Sequence, residues 1–206
     1  MRRPSFGRLL LACGTLLLAM VLPALAPPPW LSAVGELEDR CTVWALRPVL
    51  LVTASHCVGV PGSTYDAFYY RGINKVKTPA LLVWDGAWED GWNADLALLI
   101  PDRPWPAALP LASMLPVRGA VGQSVSWSLG VRQWVTPVWF YGLHETSAKG
   151  WVLMFRGDVG QGASGGVLLV DGQVVGVIVA GNTAIPAGSV GRAVRSLERN
   201  GPMPRP

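Results

Sequence analysis

A chain of 206 residues, half of them apolar and 10 of them Trp, can close one compact domain or two small ones over a sizeable core. Of its formal charge of +4, three units come from Arg2, Arg3 and Arg8, and since every Asp and Glu lies beyond residue 35 the rest of the chain carries only +1. A nucleic-acid binder needs a basic face, so nucleic acid is excluded as a partner.

The amino terminus reads as an export segment. Arg2, Arg3 and Arg8 precede an apolar run from Leu9 to Ala26, and no further charge appears until Glu36. Positive residues stay on the cytoplasmic side while such a run enters the membrane, which puts the body outside: secreted, periplasmic or held at the outer face of the cytoplasmic membrane. Ala24-Leu25-Ala26 has the small-x-small form of a cleavage site, but Pro27 follows at once, and eighteen apolar residues approach a bilayer span. A cleaved signal and a retained anchor helix are both open, the latter giving membrane association through residues 9–26. Leu10-Leu11-Ala12-Cys13 is a loose lipobox whose apolar core is too short.

Beyond the apolar run, Cys41 and Cys57 are the two cysteines of the body, and an oxidising compartment makes a disulfide the first expectation, with two separate thiols as the alternative. Cys41–Leu46 and Val49–Thr53 read as strands around a turn at Arg47-Pro48, which returns the chain near its start. No metal site and no cofactor are expected, because only two histidines exist and no Cys-x-x-Cys pair accompanies them. Further strands are predicted at 67–70, 80–84, 96–100, 124–129, 134–141 and 151–155, and Asp171-Gly172 between apolar runs signals a hairpin. Val190–Arg199 has helical spacing, and 201–206 should fray. Spread-out Gly and Pro, 24 and 18 of them, suit short strands and tight turns rather than long helices.

Three segments carry chemistry together: Thr53-Ala54-Ser55-His56-Cys57, Asp95-Leu96-Ala97-Leu98-Leu99 and Gly162-Ala163-Ser164-Gly165-Gly166. A serine hydroxyl needs a base to take its proton, histidine titrates near neutrality, and an acid behind the ring fixes its tautomer. Glycines before the serine let backbone N–H groups converge on an oxyanion. Gly-x-Ser-x-Gly also fits the nucleophile elbow of α/β-hydrolases, whose histidine follows the serine; here His56 and His144 both precede Ser164. That reading fails, and His144 is expected on a surface loop.

These segments, in this order, resemble the Thr-Ala-Ala-His-Cys, Asp-Ile-Ala-Leu and Gly-x-Ser-Gly-Gly segments of trypsin/chymotrypsin-like serine proteases. The sixteen-residue step from Cys41 to Cys57 matches that family's disulfide beside the histidine, and the likeness spans about residues 35–185. The resemblance implies an all-β fold of two packed antiparallel barrels with a short terminal helix. Residues 1–29 would form the signal or anchor, 30–110 the barrel carrying His56 and Asp95, and 111–206 the barrel carrying Ser164. The proline-bearing stretch from Pro101 to Pro116 would divide the two.

It further implies a serine endopeptidase acting on protein or peptide substrate, with Ser164 as nucleophile, His56 as base and Asp95 as its orienter. The amides of Gly162 and Ser164 would form the oxyanion hole. Val179, Ala180 and Gly181 would line the substrate groove, and Asp158, six residues before Ser164, would sit where a carboxylate selects Arg or Lys. Ala163 stands where activated digestive members carry an Asp, so a compact bacterial or viral type that folds directly into its active form is the nearer likeness. The competing expectation is a catalytically idle barrel that binds peptides or a protein partner.

Overall fold

The computed structural model describes residues 29–38, 40–71, 74–87, 94–128, 132–146 and 150–202; the apolar segment at residues 9–26 lies outside them. Six strands, β1 (Val34–Leu37), β2 (Cys41–Arg47), β3 (Leu50–Thr53), β4 (Thr64–Arg71), β5 (Asn74–Asp85) and β6 (Ala97–Pro101), close an antiparallel barrel in the order β1-β2-β3-β6-β5-β4. A second closed barrel has the order β10-β11-β12-β9-β8-β7. It is built from β7 (Val121–Ser128), β8 (Arg132–Thr146), β9 (Gly150–Arg156), β10 (Val167–Val170), β11 (Gln173–Ala180) and β12 (Thr183–Pro186). A helix, α1 (Ala187–Asn200), ends the described chain. This is the two-barrel, chymotrypsin-like architecture that the sequence resemblance implies. Among the described residues no helix is long and apolar enough to cross a membrane.

The apolar runs of the first hairpin lack alternation because both of their faces are buried. Val43, Ala45 and Leu51 point into the first barrel, while Trp44, Leu50 and Val52 point out of it. That outer set merges with Trp84, Leu96 and Leu98 of the same barrel, with Val125, Trp127, Val167 and Val177 of the second, and with Val190, Ala193 and Val194 of α1. One continuous apolar cluster therefore lies between the barrels, and burying it is what holds them together. The interior of the second barrel is a separate cluster that includes Phe140, Leu153, Phe155, Leu168 and Ile178.

Asp171-Gly172 makes the tight hairpin its sequence signals: Val170 pairs with Gln173, and both turn residues have positive φ, 50° and 74°. The predicted strands at 67–70 and 80–84 are longer in the structure, because the polar segment Asn74–Pro79 pairs residue by residue with Asp66–Arg71. Pro79 within that segment hides a strand from a pattern-based reading. Helix α1 begins three residues before the predicted Val190, since Gly188 and Ser189 lie in its first turn behind Pro186. It stops at Gly201, whose φ of 73° suits glycine. The stretch after β6 is no loose linker: Leu109 N–H donates to the Ala45 carbonyl, and Ala112 N–H to that of Val174, stitching one barrel to the other.

Candidate active site

His56 sits in a single 3-10 turn, Ser55–Cys57, directly after β3, and Asp95 lies two residues before β6. Because β3 and β6 are neighbours, pairing Thr53 with Ala97, the two residues meet at the same end of the first barrel. The Asp95 carboxylate accepts two hydrogen bonds from the turn. His56 backbone N–H donates to Oδ1 at 3.0 Å, and the ring Nδ1 lies 2.8 Å from Oδ2 and 3.0 Å from Oδ1. An acceptor at Nδ1 keeps the proton there and leaves Nε2 with its lone pair outward. The Asp95 side chain is 11% exposed and that of His56 45%, so the acid is sheltered while the ring is open to solvent.

Cys41 and Cys57 form a disulfide with a Cα–Cα distance of 6.1 Å, tying the histidine turn to the start of β2. Their sulfurs and a His56 ring nitrogen lie within 4.8 Å of one another, but joined sulfurs offer a metal no thiolate.

Ser164 lies in the loop between β9 and β10. Its carbonyl accepts from Thr42 N–H at 2.7 Å, and Gly165 N–H donates to Ile178 O at 2.7 Å. Gly165 has φ +82°, and a Cβ there would stand 2.0 Å from the Thr42 carbonyl oxygen, so only glycine lets the loop approach β2 so closely. Thr42 anchors the loop a second time. Its buried hydroxyl accepts from Trp127 N–H at 2.8 Å and donates to the Gly162 carbonyl at 2.9 Å, while its own carbonyl accepts from Thr53 Oγ1 at 2.7 Å. Ala163 N–H is spent on Gly160 O and Gly166 N–H on Ala163 O, whereas the N–H groups of Gly162 and Ser164 have no acceptor among the described residues. Two free donors flanking the serine can hold a developing negative charge.

Among the described residues, Ser164 Oγ hydrogen-bonds only the carbonyl of Val179, at 3.5 Å, and not His56. The histidine turn nevertheless adjoins this point, because Ala54 and Cys57 pack in one apolar cluster with Val179, Val152 and Ile185. A cavity of about 350 Å³ opens beside Ser164, lined by Val159, Gly160, Gln161, Ile178, Ala180 and Gly181, together with 162–164. Ala180 and Gly181 thus face the cavity, while the Val179 side chain is buried behind it. Asp158 does not line it. That residue is exposed, and its carbonyl accepts from Thr136 Oγ1 of β8. The strand β9 ends at Arg156, two residues before Asp158. His144 is exposed near the end of β8 instead of on a loop.

The sequence reading passed over Asp85. This carboxylate, 1% exposed at the end of β5, accepts from Ser55 Oγ at 2.5 Å and from Ala87 N–H at 2.8 Å. Burial pushes its pKa above the ordinary value of 3.8, against the lowering by those two donors, and the negative charge of Asp95 adds to the rise. The available signal was Ser55, the one position at which the histidine segment departs from Thr-Ala-Ala-His-Cys.

With this geometry, the chain is similar in fold to three solved proteases. The inactive form of the Rv3671c protease of M. tuberculosis superposes with a TM-score of 0.67 at 22% identity, over 80% of this chain and 88% of that one. Deg5 gives 0.67 at 21% identity, over 82% and 90%. A serine endoprotease from Yersinia pestis gives 0.67 at 19%, over 86% and 69%. No protein-family model and no curated protein sequence matches the chain. At such identities the likeness establishes the fold, and function has to be argued from the site.

Proposed function

We propose that this chain is a serine endopeptidase acting outside the cytoplasm, with His56, Asp95 and Ser164 as its triad. The observation that carries the reading is the double grip of Asp95 on the histidine turn, through Nδ1 and through the backbone N–H, beside a glycine-locked serine loop with two unspent amides. His56 Nε2 takes the Ser164 proton as Oγ attacks the scissile carbonyl. The amides of Gly162 and Ser164 receive the oxyanion, and the imidazolium, stabilised by Asp95, gives its proton to the leaving amine. Water then attacks the acyl carbonyl, giving its proton to His56, which returns it to Ser164 Oγ as the acyl–oxygen bond breaks and the carboxylic acid product is released. Two of the three structural neighbours, the Rv3671c protease and the Yersinia serine endoprotease, are proteases, which supports the same chemistry.

The cavity beside Ser164 is lined by Val159, Gln161, Ile178, Ala180 and glycines and by no charged side chain, with Asp158 outside, so an uncharged P1 side chain suits it better than Arg or Lys. The bond from Ser164 Oγ to Val179 O is the observation that favours an idle peptide-binding barrel. At 3.5 Å it is too long to hold the hydroxyl against a base. The test is labelling of the full chain with a fluorophosphonate probe, followed by peptides differing only at P1. We expect labelling that disappears in both Ser164→Ala and His56→Ala, and faster cleavage after Val or Ala than after Arg. A folded wild type that takes no label would overturn the enzyme reading in favour of the binding module.

A further inference from the structure

More than half of the large apolar side chains that the described structure exposes gather on the second barrel and the loop before it. Along the outer face of β8 stand Trp139, Tyr141 and Leu143, with Trp151 beside them on β9 at 57% exposure. Val121 pairs with Trp139 from the β7 side, and the loop before β7 offers Met114 and Val117, 80% and 75% exposed. A patch of this breadth on a soluble body marks a surface that is covered in use.

Its charges say what covers it. Trp139 and Tyr141 wall an open hollow of about 480 Å³ together with Arg118 and Arg156. Arg156 stands opposite Trp139 in the strand pairing, and neither arginine has an ion pair or hydrogen bond among the described residues. Around this hollow the charged side chains are Arg118 and Arg156, and the one acid on β8 or β9, Glu145, lies toward the far end near Trp151. Half-exposed indole and phenol rings with uncommitted guanidiniums between them are the side chains that partition into the headgroup zone of a bilayer. The rings bury their apolar bodies, and the arginines meet lipid phosphates. The apolar run from Leu9 to Ala26, read above as an export signal or anchor, ends three residues before the described body begins and is an independent feature that would bring this body to a membrane.

We propose that this face of the second barrel is an interfacial docking surface for a bilayer carrying anionic phospholipid, with Arg118 and Arg156 holding headgroup phosphates and Trp139, Tyr141 and the Met114–Val117 loop seated among them. The proposal stands apart from the protease reading, since none of these residues belongs to the site around Ser164. Hydrogen exchange of the full chain tests it, on phosphatidylcholine vesicles with and without phosphatidylglycerol, because any hold exerted by residues 9–26 is common to both. The amides of 114–121 should exchange roughly fivefold or more slowly on the anionic vesicles, a difference the double substitution Arg118→Glu, Arg156→Glu should abolish while the melting temperature stays put. Equal exchange on both vesicle types overturns the proposal. So does equal protection by inorganic phosphate alone, which would make the hollow a small-anion site. Protection that instead grows with protein concentration in lipid-free detergent overturns it too, since the face would then join two copies of the chain.

Discussion

At the scale of single residues, the hydroxyl of Ser55 decides how a buried carboxyl can exist next to the histidine turn. Asp85 is shut away from water within reach of the Asp95 charge, and two donors, Ser55 Oγ and Ala87 N–H, both spend themselves on its Oδ1. They do not offset the burial, so the folded state holds a proton on Asp85 at pH values where the unfolded chain has lost it. The sign follows: stability from this group is fully present below the ordinary carboxylate value of 3.8 and is lost as pH rises through the raised pKa. Asp85→Asn, which mimics the protonated form, should therefore melt at a temperature that declines less than the wild type's across that window. Carboxylates that bond only as anions pull the other way, so the difference between the two proteins is the quantity to plot. A constant difference at every pH would show that Asp85 titrates alike in both states. The serine was visible in the sequence as a departure from a motif, but its partner thirty residues on was not. No local pattern announces a long-range hydrogen bond.

At the scale of elements, the segments that were legible are those whose local chemistry and global role agree. Asp171-Gly172 supplies two left-handed residues where a two-residue hairpin needs them, and the apolar runs 50–53 and 96–99 pair as neighbouring strands. The β4–β5 hairpin was half hidden because Lys75, Lys77 and Pro79 face the rim of the barrel, where pairing, and not burial, makes the strand. Also illegible was the role of β2 in aiming the serine loop. Thr42, at the second position of that strand, joins Trp127 of β7 to the Gly162 carbonyl through one hydroxyl. A hydroxyl that accepts one bond and donates another fixes the direction of both, and the Gly162 peptide is thereby held with its carbonyl inward beside the free Ser164 amide. Thr42→Val keeps the shape and removes the hydroxyl, leaving the buried Trp127 N–H and the half-buried Gly162 O without it. We expect a loss of about 1–3 kcal/mol in urea unfolding. If Gly162 and Ser164 supply the oxyanion donors proposed above, kcat should also fall with KM nearly unchanged, because such donors bind the transition state more than the substrate. A rise in KM alone would show that Thr42 shapes the groove and not the donors.

At the scale of the whole molecule, two barrels drawn as separate bodies share the apolar cluster that each would need to stand alone. Trp44 and Trp84 from the first barrel, Trp127 and Val167 from the second, and Val194 of α1 belong to one buried group. Separating the barrels would expose all of it at once, a cost no single barrel could recover. The exposed ion pair between Arg47 and Glu198, 3.0 Å long across the same junction, adds little to this. Unfolding should accordingly be one cooperative transition, with tryptophan fluorescence and far-ultraviolet circular dichroism falling together. The Cys41–Cys57 crosslink, confined to the first barrel, then becomes a test of that coupling. Its sixteen-residue span removes loop entropy from the unfolded chain, and reducing it should cost roughly 2–4 kcal/mol. If the barrels are coupled, the loss appears as a shift of the whole transition. Val194→Ala, at the far side of the shared cluster, should shift the same transition and leave its slope with denaturant unchanged. Two resolved transitions, of which reduction moves only the first and Val194→Ala only the second, would mean that each barrel folds on the strength of its own interior.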